Sequence, residues 1–137
     1  RWEFRHNHIG FNYRMPNINA ALGCAQLENL DKYIASKRKV AAEYIEFFKN
    51  VDGIDFFVEP ENTFSNYWLS AVVLKDKESQ LDFLQQTNDN GVMTRPIWEL
   101  MNRLPMFENC ENDGLVNTIW FADRVVNVPS SVRIEGI

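Results

Sequence analysis

Residues 67–91 read YWLSAVVLKDKESQLDFLQQTNDNG, and this stretch decides the class of the fold. Tyr67–Leu74 is aromatic and β-branched and is bounded by polar residues, a composition that suits a pleated, half-buried strand. Asp76-Lys77-Glu78 then opens a helix that carries Leu81 and Leu84 and stops at Asn90-Gly91. Ahead of this strand–helix step, Ile54–Val58 is a short strand closed by the turn residues Pro60 and Asn62. Behind it, Val92–Thr94 is a third strand ended by Pro96, and Ile97–Leu104 is a short helical turn stopped by Pro105. Leu115–Arg124 reads as a helix and Val125–Val128 as a last short strand.

The N-terminal part has a different character. Residues 1–16 are irregular, and a helix begins with Asn17 or Asn19 as its cap. Ala20, Ala21, Leu22, Gly23, Cys24, Ala25 and Leu27 follow, and so many small residues imply close approach to another backbone. Gly23 inside a helix costs about 1 kcal/mol against Ala, which tight packing would explain. Helical character continues through Lys49, with Val40, Tyr44, Phe47 and Phe48 on one stripe. Residues 17–50 form one long helix or two, with a break near Asp31 or Ser36, and Asn50 and Gly53 end it. The expected fold is α+β: a long N-terminal helix, then a small, mostly antiparallel sheet with helices packed on it. The chain divides into an entry segment 1–16, a connecting helix 17–50 and an α+β unit 51–137.

With 137 residues, 45% hydrophobic and 24% charged, the chain can bury a real core and has the composition of a soluble globular domain. A net charge of -5 excludes a general attraction to nucleic acid or to an anionic membrane. No apolar run approaches the roughly 20 residues of a spanning helix. Lys37-Arg38-Lys39 is the longest basic run and reads as a solvated helix face. Cys24 and Cys110 make neither a zinc pattern nor a disulfide framework, so Cys24 is expected as a buried free thiol in a reducing, cytoplasmic setting. His6 and His8 lack further ligands for a metal and read as loop histidines. No glycine-rich phosphate loop, Ser/His/Asp set or redox cysteine motif is present. Arg1 and Ile137 read as cuts through a larger protein.

The stretch Ile9-Gly10-Phe11-Asn12-Tyr13-Arg14-Met15-Pro16, continued by Asn17-Ile18-Asn19-Ala20-Ala21-Leu22-Gly23-Cys24-Ala25-Gln26-Leu27, resembles the nucleotide-sugar aminotransferase family. Further landmarks follow in order: Arg38 with Ala41-Ala42-Glu43-Tyr44, Ser65-Asn66-Tyr67-Trp68, Gly91–Trp98, and Asn127-Val128-Pro129-Ser130-Ser131. The resemblance spans nearly the whole chain. It implies the C-terminal portion of a fold-type I enzyme dependent on pyridoxal 5'-phosphate. Such an enzyme moves an amino group, here from glutamate, to a keto-sugar nucleotide, working as a homodimer with sites shared across the interface. Residues 1–16 would then belong to the large cofactor domain and its interface. Arg95-Pro96-Ile97-Trp98 with Leu104-Pro105-Met106-Phe107 is similar to members that aminate UDP-linked 4-keto-6-deoxy-N-acetylhexosamines, at C4 rather than C3. GDP-perosamine synthases carry a related Arg-Pro pattern.

The resemblance also assigns roles. Asn12 and Arg14 would bind cofactor, with the Asn reaching the phosphate of the neighbouring subunit; a guanidinium's rigid fork and permanent charge suit that anion. Tyr13, Trp68, Arg95 and Trp98 are the candidate substrate-binding residues. Tyr13 stacks or packs, Trp68 covers a sugar or uracil ring or packs at an edge, Trp98 stacks or gates, and Arg95 binds a diphosphate or makes an internal ion pair. The family's Schiff-base lysine lies upstream of this stretch. The first lysine here is Lys32, in a solvated helical pattern, so the chain alone is expected to be inactive. A competing reading is a non-catalytic α+β module that binds a sugar nucleotide or a protein partner. A helix built to bury Ala20, Ala21, Cys24 and Leu27 against a further domain would leave an apolar face, so the chain is expected to self-associate through that face or through its N-terminal segment.

Overall fold

The computed structural model describes residues 5, 7–11 and 14–133. In chain order the elements are α1 (Asn17–Leu27), α2 (Leu30–Phe48), β1 (Ile54–Phe56), β2 (Ser70–Leu74), α3 (Lys77–Asp89) and β3 (Arg95–Pro96). A 3-10 turn (Met101–Arg103), α4 (Val116–Ala122) and β4 (Val125–Val128) complete the chain. The strands form one sheet in the order β1-β2-β4-β3, with each pairing antiparallel. The α+β arrangement expected from the sequence is the one observed.

The pleat decides which residues make the core. In β2, Ser70, Val72 and Leu74 alternate inward with Ala71 and Val73 between them. Val72 and Leu74 join Phe56 of β1, Val126 and Val128 of β4, Ala41 of α2, Leu84 of α3 and Tyr67 in one apolar cluster. Both long helices therefore feed the same core, and Tyr44 and Phe48 of α2 stack at its margin, with Tyr44 5.8 Å from Phe56 between ring centroids. Phe47, expected on the same stripe, is exposed and meets Phe48 edge-on. One polar side chain crosses the core. Gln80 is fully buried, and its Nε2 donates to Ala122 O at 3.0 Å and Val125 O at 2.8 Å, tying α3 to the α4–β4 junction. Asp76 caps α3 by accepting from Ser79 N at 2.8 Å.

Several boundaries differ from the sequence reading, each for a local reason. Neither Asn17 nor Asn19 caps α1: Pro16 holds the cap position without a side-chain bond, and the fixed φ of proline suits the entry. The helical run breaks at residues 28 and 29, just before Asp31, where Asn29 leaves helical geometry and its Nδ2 donates back to Ala25 O at 3.1 Å. β2 starts at Ser70, not Tyr67, because Tyr67 takes a left-handed φ of 44° that no strand accommodates. Residues 92–94 are not a strand. Val92 N donates to Thr87 O at 2.8 Å and buried Thr94 bonds Thr87 and Asn88, so the segment is fastened to the end of α3. The edge strand follows at Arg95–Pro96, a place where a proline's missing N–H is tolerated.

α1 departs furthest from expectation. None of its residues is buried, Cys24 is exposed rather than buried, and nothing lies within reach of a Cβ placed on Gly23. The close backbone neighbour that its small residues imply is not among the described residues. No helix is long and apolar enough to cross a membrane among the described residues.

Candidate functional site

Three of the residues expected to bind substrate, Trp68, Arg95 and Trp98, lie towards the β3–β4 edge of the sheet. Trp68, in the loop entering β2, stacks on Trp98, which follows β3; the ring centroids are 6.3 Å apart and the planes 27° from parallel. Both indoles remain exposed, at 65% and 60%. Beside them lies a pocket of about 310 Å³ lined by Leu69, Met93, Arg95, Pro96, Trp98, Asn127 and Val128. The register Arg95↔Asn127 sets these two residues opposite one another across the β3–β4 ladder. Arg95 Nη2 lies 3.4 Å from Met93 Sδ, which orients the guanidinium at the pocket rim. Asn127 Nδ2 reaches Pro96 O at 3.5 Å.

The loop that presents Trp68 is shaped by α2. Arg38 makes a two-pronged pair with Glu59, with Nη1–Oε2 at 2.9 Å and Nη2–Oε1 at 2.7 Å, and its Nη1 also donates to Ser65 O at 2.7 Å. Glu59 Oε2 accepts from Ser65 N at 2.6 Å, and Tyr67 Oη accepts from Glu59 N at 3.2 Å. The Phe64 ring covers the guanidinium at 4.2 Å. The Arg38 side chain, and then the Ser65 amide, hold the Glu59 carboxyl down at about 2, and Glu59 in turn raises the pKa of Arg38. Asn66 Oδ1 accepts from Trp68 N at 2.9 Å, closing the last turn before the strand.

Lys37, one residue before, reaches the other end of the loop. Its Nζ donates to Trp68 O at 3.1 Å and Ser130 O at 2.6 Å, and partial burial lowers its pKa. Lys37-Arg38 is therefore not a solvated face: both side chains hold the site loop. The sequence reading missed these roles, and it also missed Leu69, Met93 and Asn127 as pocket lining. Their signal was partial, since Arg38 and Asn127–Ser131 stood among the family landmarks.

The remaining candidates stand elsewhere. Arg14 is exposed in the short segment that enters α1. Asn12 and Tyr13 lie outside the described residues, as does His6. The N-terminus of α1 has no side-chain cap and no acidic residue in its first turn. Among the described residues no group of three His, Cys, Asp or Glu side chains is placed to hold a metal. Beside Trp98, Glu99 lies 3.7 Å from Arg103 in an ion pair. Two stacked indoles, an apolar pocket and a guanidinium at its rim suit a planar ring that carries an anionic group.

Residues 1–136 match the model of the DegT/DnrJ/EryC1/StrS aminotransferase family. The chain is 31% identical over 130 residues to a GDP-perosamine synthase of Escherichia coli O157:H7, covering 93% of this chain and 34% of that protein. It is 32% identical over 133 residues to the GDP-perosamine synthase of Vibrio cholerae, covering 91% and 35%. The chain thus spans about a third of the length of these relatives. The fold is similar to that of the aminotransferase TlmJ from Streptoalloteichus hindustanus, with a TM-score of 0.77 at 19% identity over 88% of this chain and 32% of that one.

Proposed function

Because the chain belongs to the DegT/DnrJ/EryC1/StrS aminotransferase family, we propose that it serves as the C-terminal domain of a pyridoxal-phosphate-dependent aminotransferase. That enzyme moves an amino group from an amino acid, glutamate, to a keto-sugar nucleotide in cell-surface polysaccharide biosynthesis. It works in the cytoplasm as a homodimer whose sites are shared across the interface. Residues 1–16 belong to the cofactor domain and its interface, 17–50 connect, and 51–137 form the substrate-side unit.

The observation that carries this reading is the Trp68–Trp98 stack beside the pocket that Arg95 rims. An exposed aromatic pair gives a nucleotide base a face to stack on, and a guanidinium pairs with a diphosphate. Trp98 and Trp68 hold the base or the sugar ring, Arg95 the diphosphate, and Tyr13 contacts the substrate. Asn12 and Arg14 hold the cofactor phosphate of the neighbouring subunit, with the uncapped start of α1 adding its amides. Pyridoxal phosphate, when bound, supplies the electron sink for amino transfer. The side chains of this chain bind and orient; proton transfer is left to groups outside it.

The test is an assay of the enzyme carrying this segment, with glutamate and UDP- or GDP-linked 4-keto-6-deoxy sugars, reading amino-sugar product by mass spectrometry. Product is expected, at C4, and Arg95→Ala should raise KM about tenfold or more with a smaller change in kcat, because the lost contact is made in the ground state and transition state alike. No product with any keto-sugar nucleotide, together with saturable sugar-nucleotide binding to this chain alone, would replace the reading with that of a non-catalytic binding module.

A further inference from the structure

The stacked tryptophans are too exposed for their own packing to fix them. Trp68 follows a residue in left-handed geometry and precedes the first ladder pair of β2, so neither a helix nor a strand holds its backbone. The β2–β4 register runs Val72↔Val126 and Ser70↔Val128, and there the ladder ends. Continuing the same phase by two residues sets Trp68 opposite Ser130. Between them and the last pair comes Pro129, which has no N–H to donate, so the ladder cannot extend from that side.

At this frayed end, Lys37 takes the ladder's place. Its ammonium lies 2.6 Å from Ser130 O and 3.1 Å from Trp68 O, joining the two segments just beyond the last ladder pair. Ser130 Oγ adds a second donor to Trp68 O at 3.1 Å. An ammonium has three donors and no acceptor, which suits the bridging of two carbonyl oxygens that would otherwise repel. The neighbouring turn of α2 is fastened to the same segment, with Ser36 Oγ donating to Arg133 O at 3.0 Å and Tyr44 Oη to Pro129 O at 2.9 Å. The ammonium therefore has a firm base from which to set the height of the Trp68 backbone.

We propose that Lys37 is a positioning residue that clamps the open ends of β2 and β4 and thereby holds the Trp68 indole against Trp98 for nucleotide binding. The clamp rests on the reading of these tryptophans as substrate-binding, but it is measurable without a nucleotide. Two stacked indoles give an exciton couplet in far-ultraviolet circular dichroism, which Trp98→Phe assigns to this pair by removing it. Lys37→Met keeps the length of the side chain and removes its donors, whereas Lys37→Arg keeps donors.

The expected result is that Lys37→Met loses the couplet as fully as Trp98→Phe while unfolding cooperatively like the wild type, and that Lys37→Arg restores most of it. In fluorescence titrations with UDP and GDP, Lys37→Met should then bind about two- to tenfold more weakly, which is what one aromatic contact is worth. An unchanged couplet in Lys37→Met overturns the proposal. So does a Lys37→Met chain that fails to fold, because Lys37 lies outside the core cluster and the clamp predicts a folded variant. If wild type binds neither nucleotide while the couplet behaves as stated, the substrate reading falls and the clamp stands.

Discussion

Gln80→Leu isolates the one polar strut inside the core. The side chain is fully buried and donates from one amide nitrogen to two carbonyls, Ala122 O at 3.0 Å and Val125 O at 2.8 Å. Its Oε1 accepts from Lys77 Nζ at 2.7 Å. Leu fills a similar volume but offers no donor. A carbonyl left unpaired inside the fold costs about 1–3 kcal/mol, and the added apolar surface returns part of that, so the two carbonyls together should lose ~2–4 kcal/mol. This is a large share of a typical total of about 5–15 kcal/mol. Urea unfolding followed by circular dichroism should show a lower midpoint with an unchanged slope. Gln80→Glu keeps the shape yet has no donor while ionised, and should be at least as damaging at neutral pH. A loss below about 0.5 kcal/mol for Gln80→Leu, the range of ordinary surface changes, would refute the strut.

Glu59 predicts an acid dependence. Its carboxyl titrates at about 2 in the fold against an ordinary 4.5, because Arg38 and the Ser65 amide favour the ionised form. A depressed carboxylate stabilises above its ordinary pKa and loses that contribution as pH falls through its folded value. The gap in melting temperature between the wild type and Glu59→Gln should therefore narrow as pH drops from 4.5 to about 2. A gap that stays constant across that range would contradict the pairing. On α1, Ile18 and Leu22 are exposed one turn apart, and the chain is expected to self-associate through this face with rising concentration. Sedimentation velocity should show this for the wild type and lose it in Ile18→Lys/Leu22→Lys; a monodisperse wild-type monomer at high concentration would count against it.

What the sequence revealed and what it hid follow one physical division. Strands and helices that bury a face left a trace in composition and spacing: Val72 and Leu74 of the β-branched stretch and Leu84 of the α3 pattern sit in the core, although Leu81 of that pattern is exposed. The Asp76 cap was legible because it acts on an amide three residues away. Contacts that close over long sequence separations left no such trace. Lys37 is 93 residues from Ser130 and Arg38 is 21 from Glu59, and from within α2 both resemble any solvated cation. The same holds for residues 92–94, whose strand-like composition lost to hydrogen bonds with Thr87 and Asn88. α1 misled for the opposite reason. Its small residues imply a close neighbour, yet among the described residues nothing buries any of α1, and Cys24 is exposed.

The two basic residues at the centre of α2 show how one helix can shape a loop at two separate points. Successive helical residues point roughly 100° apart, so Lys37 and Arg38 reach different ends of the same segment. Arg38 fixes residues 59–65 through a carboxylate and a carbonyl, and Lys37 fixes Trp68 through its carbonyl. Each grips backbone or an acid, and the intervening Thr63 and Phe64 side chains stay exposed. Thr63 bonds only locally, to Pro60 O at 2.7 Å, and Phe64 is mostly exposed above Arg38. Stability of the unit and the shape of the loop are therefore carried by different atoms: the core and Gln80 keep the sheet, and the α2 cations keep the loop that carries Trp68.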